Sequence, residues 1–434
     1  APHSSRSPPT PTRSEMTALT VTLTSVLGVL AVALAVRLLV RNRDRVAYAS
    51  VLVAVGLVVP TVIPALRLEL TADIIFFLLL PAIIFQGTTT LNVHELRHNA
   101  PLVAALTLLG LPLAVAVLGV VGTTAFGFEL PIALLFAAII LPTDPAAVLS
   151  LFEEFEVTER LAITIEGESL FNDGVAIVLF STLLASYEAA DRSVTALATP
   201  SGVLDFLGDI VVVGGGGLAI GVAVGYLAHQ LIRRLQDTMS ILLISVVVAY
   251  GSFLGVEHYL GLSGVLATVG AGLAMGAHEA THAQMSDPEA TVQEVWSTLS
   301  FLVTTVLYVL IGSAVRPAAL LANWRLVALA AVLVVAVRAV TIYPLVTAAN
   351  RLARDPISRS CQHIMVWGGL HTVVPVALVL SLPESVTAGR PIETMVFGVA
   401  ILSLVVQGLL MPTILDLTGL AGSGGDATES GEPT

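Results

Sequence analysis

Lysine is absent from this chain: all 19 basic residues among its 434 are arginine. Against 31 acidic residues this leaves a formal net charge of −12 with the histidines neutral. So little positive charge cannot neutralise a phosphate backbone, which excludes a nucleic-acid-binding role. An arginine-only basic set suits a high-salt cytoplasm and a GC-rich coding sequence equally well. Cysteine is almost absent too. With Cys361 as its single thiol, the chain can form neither an internal disulfide nor a cysteine-pair metal knuckle. Charged residues of both signs make up only 12% of the chain, against about 25% in a soluble domain. Apolar residues fill the gap, at 56%, with a mean hydropathy of +0.93. Polar residues this scarce cannot cover a globule, so a water-soluble globule, a disordered chain and a secreted disulfide scaffold are all excluded.

Thirteen apolar stretches reach the length, about 20 residues, that crosses a bilayer as a helix. They fall at 17–40, 46–64, 71–91, 100–125, 128–151, 159–187, 203–232, 238–257, 260–277, 295–314, 326–348, 361–382 and 394–418. The expected class is therefore an all-α polytopic membrane protein with thirteen transmembrane helices and short loops. Residues 1–16 read as a disordered lead and 421–434 as a disordered cytoplasmic tail. The lead is not read as a signal peptide, because the first apolar stretch is of full spanning length and lacks a clear small-residue cleavage site. An odd number of spans puts the termini on opposite sides. Eleven arginines flank the spans on the carboxyl-terminal side and seven on the other. The positive-inside rule then predicts an external amino terminus and a cytoplasmic carboxyl terminus.

Thirteen also divides as six, one and six: residues 17–188, a linker helix at 203–232, and 238–418. The two sixes are offset by an odd number of spans, so corresponding helices run in opposite directions, as in inverted-repeat transporters. In that pairing the fifth span matches the twelfth, and both are interrupted. One carries Leu141-Pro142-Thr143-Asp144-Pro145, the other Gly368-Gly369-Leu370-His371 followed by Pro375. Paired broken helices point to a binding site near the membrane midplane.

Ionisable groups in the hydrocarbon layer are costly and mark function. The sixth span holds the densest set. Glu168 and Asn172 are four residues apart, as are Ser169 and Asp173, so all four share one helical face, with Glu166 nearby. The face offers carboxylates, a hydroxyl and an amide, the oxygen ligands that hard cations take. Thr143 and Asp144 sit at the fifth-span break, where unwound carbonyls can complete an ion site. Arg338 lies mid-span in the eleventh stretch and demands a buried acid; Glu168 is the expected partner, with Glu166 in reserve.

Thr143-Asp144-Pro145 followed by Glu168-Ser169-Leu170-Phe171-Asn172-Asp173-Gly174 resembles the signature of the cation/proton antiporter superfamily. The similarity is to its Asn-Asp branch of NhaP-type prokaryotic antiporters and eukaryotic sodium/proton exchangers. It extends through Trp367-Gly368-Gly369-Leu370 and the arginine stretch from Ala336 to Tyr343. The resemblance implies a homodimer with a mobile core of spans four to six and eleven to thirteen. It also implies electroneutral exchange of one sodium or lithium ion for one proton, without a cofactor. Asp173, Ser169, Thr143 and Asp144 would surround the ion, with Glu168 and Asn172 also counted among the ion- and proton-binding residues. Glu168 would pair with Arg338, and Asn172 would help hold the site. Two departures bear on pH response and ion preference. His371 replaces an arginine common in the family, which makes it a possible pH modulator, and Gln86 stands where prokaryotic members often carry Glu.

Other readings start from weaker signals. His278-Glu279-Ala280-Thr281-His282 spells a zinc-protease pattern, which would make the chain an intramembrane hydrolase. A potassium/proton exchanger or a channel could use the same scaffold, since the oxygen ligand set is nearly the same. Gly217, Gly221 and Gly225 recur every four residues and mark close helix packing rather than a phosphate loop. His94, His98, His229, His258 and His363 fall near span ends and read as interfacial.

Overall fold

The computed structural model describes residues 13–40, 48–62, 70–145, 148–149, 151–152, 155, 157–189, 199–235, 237–279, 287–351 and 356–420. Helix is the only regular secondary structure among them, and seven of the helices are long and apolar enough to cross a membrane. This follows from the composition. An apolar segment in lipid has no water to satisfy its backbone, so each segment must bond internally as a helix.

In chain order the longer helices are α1 (Arg13–Val40), α2 (Tyr48–Val62), α3 (Ile74–Thr90), α4 (Val93–Ala125), α5 (Leu130–Ile140), α6 (Glu159–Ala189) and α7 (Pro200–Ile232). They continue as α8 (Thr238–Tyr259), α9 (Gly264–Glu279), α10 (Asp287–Ala314), α11 (Trp324–Asn350), α12 (Arg359–Trp367), α13 (Val373–Leu380) and α14 (Ile392–Thr418). Several extend beyond the apolar runs. α4 begins at Val93 rather than near residue 100, because Asn92 Oδ1 accepts from the backbone N–H groups of His94 (3.1 Å) and Glu95 (3.3 Å). α10 starts at Asp287 rather than near 295. The extra turns are polar ends that need no lipid. α8 is capped by Asp237, which accepts from Met239 N and Ser240 N; the bonds with Ser240 hold its carboxyl below the usual range.

Four helices carry π turns: Ile74–Leu79, Leu106–Gly110, Gly255–Tyr259 and Ser403–Gln407. The last sits in the middle of α14, and Ser50 of α2 donates to its Leu404 carbonyl.

Glycine sets the closest contacts. A Cβ at Gly217, Gly221 or Gly225 of α7 would collide with the carbonyl oxygens of Ser263, Ala267 or Ala271 along α9. The fourfold glycine spacing therefore seats α7 directly on the α9 backbone. On its other side α9 presents Gly272 to Thr88 and Gly276 to Thr89 of α3. Gly56 of α2 and Gly312 of α10 are reciprocal, each meeting the backbone of the opposite helix. A backbone carbonyl cannot step aside as a flexible side chain can. Gly221→Leu is therefore expected to destabilise the protein by about 3 kcal/mol or more, at or beyond the upper end for overpacking. Gly215→Ala on the same helix, where a Cβ meets nothing within 4 Å, should leave thermal stability unchanged or slightly raised. Melting curves in detergent compare the two. Equal losses would mean that α7 is not held by this contact.

The two short helices α5 and α13 lie at the centre, with Ile132, Ala133 and 135–140 of one and 373–379 of the other buried. α5 ends at Ile140 with Leu141 as its cap, still helical in backbone and bonded to the Ala137 carbonyl, because Pro142 has no N–H to carry the ladder on. α12 stops at Trp367 before Gly368-Gly369, and the helix resumes at Val373. Each of these two paths is thus a pair of half-helices or a half-helix with an extended break.

Candidate ion-binding site

The two breaks meet. The backbone N–H of Asp144 donates to the carbonyl of Leu370 at 2.7 Å, which ties the first break to the second. The Asp144 carboxylate reaches further in the same direction. Its Oδ2 accepts from Thr372 Oγ1 at 2.6 Å and from the hydroxyl of Tyr308, on α10, at 3.5 Å.

α6 passes beside this junction. Ser169 donates its hydroxyl to the Thr143 carbonyl, and Asn172 Nδ2 donates to Thr143 Oγ1 at 3.3 Å. One face of α6 is thereby fastened to the first break at two points a helical turn apart. Asp173 follows Asn172, and Asp144 is the charged neighbour that acts on it. Oδ1 of Asn172 and Oδ1 of Asp173 are buried and have no hydrogen-bond partner among the described residues. Buried oxygens are normally satisfied, so each calls for a partner, and the Asp173 carboxyl is the one that a proton or a cation neutralises.

A turn earlier, Glu168 meets Arg338 of α11. Nη1 and Nη2 bind the two carboxylate oxygens at 3.0 and 2.8 Å, and Nε donates to the Met365 carbonyl at 3.0 Å. Both side chains are buried, at 4% and 7% exposure, so this is a two-pronged charge pair shielded from water. Glu168 has both oxygens engaged by the arginine. The guanidinium runs across Gly369, where a Cβ would overlap Nε; the second break is glycine there because the arginine occupies the space.

His371, also in the second break, is 1% exposed. Its backbone N–H donates to Ser403 Oγ (3.1 Å) and its ring Nδ1 lies 2.9 Å from the Pro142 carbonyl. Ser403 donates to Gln407 Oε1 at 2.6 Å, and Gln407 Nε2 donates to the Trp367 carbonyl at 3.0 Å. The π turn of α14 thus serves both ends of the second break.

Thr143, Ser169 and Asn172 come together, Asp144 extends to Thr372 and Tyr308, and Asp173 stands on the same stretch of α6. Tyr308 carries no signal in the sequence, being an aromatic in the apolar run of α10. Gln86 lies on α3, where its carbonyl accepts from Thr89 and Thr90. His229, expected at an interface, is instead 9% exposed and lines a cavity of about 40 Å³ with Glu289, Gln293 and Trp296. His278 and Glu279 end α9, and the rest of the zinc-protease pattern falls in 280–286, outside the described residues. Among the described residues no group of three or more metal-binding side chains occurs.

Broken helices crossing beside a buried carboxylate and a desolvated ion pair define an ion-coupled membrane transporter. Comparison with known proteins gives the family. Residues 28–417 match the family described as sodium/hydrogen exchanger, transmembrane, and the chain belongs to it. Its relatives are transporters rather than enzymes. A Na(+)/H(+) antiporter, ApNhaP of Aphanothece halophytica, is 35% identical over 380 residues, covering 87% of this chain and 71% of that protein. The Na(+)/H(+) antiporter NhaH of Halobacillus aidingensis is 29% identical over 394 residues, covering 89% and 95%. In fold the chain is similar to the sodium proton antiporter MjNhaP1 of Methanocaldococcus jannaschii, with a TM-score of 0.69 at 18% identity over 94% of this chain and 97% of that one.

Proposed function

We propose that this protein is a secondary transporter that exchanges sodium or lithium for protons across the cell membrane, without a cofactor. The observation that carries the proposal is the buried, unsatisfied Oδ1 of Asp173, on the stretch of α6 that Ser169 and Asn172 fasten to the Thr143–Asp144 break. Hard monovalent cations take oxygen ligands of this kind. A single carboxylate at that place is neutralised by a proton or by a cation but not by both. The two therefore compete for Asp173, and one ion leaves as the other enters. Exchange of one for one is electroneutral. Glu168 and Arg338 cancel each other and stay out of the exchange.

The antiporter names of the relatives support this reading. It carries with it thirteen spans in two inverted six-helix repeats around α7, an external amino terminus, a cytoplasmic carboxyl terminus and a homodimer. Alternating access would come from movement of α4 to α6 and α11 to α14, which hold the site, against the remaining helices.

Purified protein in proteoliposomes tests the proposal. With a pH gradient imposed, sodium or lithium should collapse it, and clamping the membrane potential should leave the rate unchanged. Collapse by potassium alone would favour the potassium exchanger, and current without proton movement a channel.

Tyr308 comes from α10, outside the moving set, yet touches Asp144 within it. Tyr308→Phe removes one hydrogen bond to a charged group, worth about 1.5–3 kcal/mol at full strength. Since the bond is long at 3.5 Å, exchange is expected to slow by about three- to tenfold, with thermal stability retained. An unchanged rate would remove Tyr308 from the site.

A further inference from the structure

A cavity of about 30 Å³ lies beside the Glu168–Arg338 pair, and its polar wall consists of Glu168, Asn172, Arg338, Thr341 and His371. A water molecule needs about 10–15 Å³ of such space. The hydrogen bonds around it can be accounted for atom by atom. Both oxygens of Glu168 and all three nitrogens of Arg338 are bonded, each nitrogen through one N–H, which leaves two guanidinium N–H groups that a water oxygen can accept from. The Thr341 hydroxyl sits within 3.0 Å of the carbonyls of Val337 and Arg338 and gives its proton there. The Pro142 carbonyl beside His371 Nδ1 can only accept, so Nδ1 carries the proton and Nε2 of the neutral ring is a bare lone pair. Asn172 uses Nδ2 on Thr143, which leaves Oδ1. His371 Nε2 and Asn172 Oδ1 are both buried and lack a protein partner. Their residues are 1% and 3% exposed.

Two acceptors that share a cavity require a donor. An anion has no hydrogen to give, and a cation would sit against the Arg338 guanidinium. The space is too small for an organic molecule. We propose that the cavity is a built site for water, one molecule of which donates its two hydrogens to Asn172 Oδ1 and His371 Nε2. This water joins the second break to α6, as Ser169 and Asn172 join the first. It makes His371 a positioning residue for the ion-bearing face of α6. An arginine at this position has only donors. It would reach Asn172 directly, but it would bury a second positive charge beside Arg338. Histidine with a water makes the same connection with neutral groups.

The water site rests on geometry, and its first test does not depend on the transported ion. The full chain, ¹⁵N-labelled at histidine and held in lipid nanodiscs, is compared with His371→Gln to assign the His371 signals. The expected result is a neutral ring protonated at Nδ1, with magnetisation transfer from water to Nε2 that is the same in sodium and in choline chloride. A charged ring, a dry Nε2, or an Nε2 signal that moves when sodium replaces choline would each overturn the proposal, the last by placing a cation there. The second test rests on the antiport reading. The Gln amide donates to Pro142 and accepts from the water, so His371→Gln should hold the apparent cation affinity within about twofold. His371→Leu does neither and should lower it by about tenfold, the size of one buried hydrogen bond lost. Equal affinities in the two variants would remove the positioning role. If neither variant nor the parent transports, the antiport reading fails while the nuclear resonance result still decides the water.

Discussion

Asp173→Asn is expected to give a folded protein with no cation-driven proton flux. The amide has nearly the size of the carboxylic acid but neither holds a charge for sodium nor releases a proton near neutral pH. Substituting it therefore removes both halves of the exchange at once. The effect should be complete, about a hundredfold or more, because the two other carboxylates described at the site are already engaged. Asp144 is bonded to Thr372 and Tyr308, and Glu168 to Arg338. A neutral amide costs less to bury than a carboxylate, so the variant should melt at or above the temperature of the parent. Flux in proteoliposomes and a melting curve in the same detergent check both parts. Substantial sodium/proton exchange by this variant would overturn the assignment of Asp173.

Arg338→Ala should have the largest effect on stability. Breaking a buried ion pair leaves the other charge stranded, at a cost of about 3–5 kcal/mol. Glu168 would lose both its partners in one step, and the Met365 carbonyl would lose its donor. Low yield and a markedly lower melting temperature are expected, together with loss of exchange. The double variant Glu168→Gln with Arg338→Met replaces both charges by groups of similar length. It should recover part of the lost stability without restoring full transport. If the losses of Glu168→Gln and Arg338→Met simply add in the double variant, the two residues are not coupled and the pair contributes little beyond its geometry.

The readability of these features in the sequence follows their energetic cost. An arginine in the middle of an apolar stretch is so costly that an acid must be sought for it, and Glu168 stands on the one helix dense with acids. The glycines of α7 were legible because fourfold spacing has few uses other than close approach. Both breaks could be placed to within a few residues, since Pro142 and the Gly368-Gly369 pair each remove something a helix requires. Hydroxyls were not legible in this way. Thr372 and Tyr308 join Asp144, but a threonine or tyrosine within a membrane helix is unremarkable by type, and only the crossing of distant segments gives either a role. The burial of His229 is hidden in the sequence for a related reason. Its place near the end of α7 suggested an interface, whereas the packing of neighbouring helices encloses it. Helix starts drifted wherever polar turns extended a span beyond its apolar run, as at Val93 and Asp287.

The turn at Ser403–Gln407 has a consequence for insertions and deletions. A π turn is one residue more than an α-helix needs over the same rise. Deleting a single residue there would make α14 regular, and by local measures better. Met411 and Leu415, both fully buried, would keep their places, because the wide turn absorbs the extra residue and the change falls on the turn itself. The bonds from Ser403 to His371 and from Gln407 to Trp367 could no longer both form. Most side chains of this turn could be exchanged at modest cost, whereas its residue count could not. Chain length at this point is thus a specified quantity, although no single residue type records it.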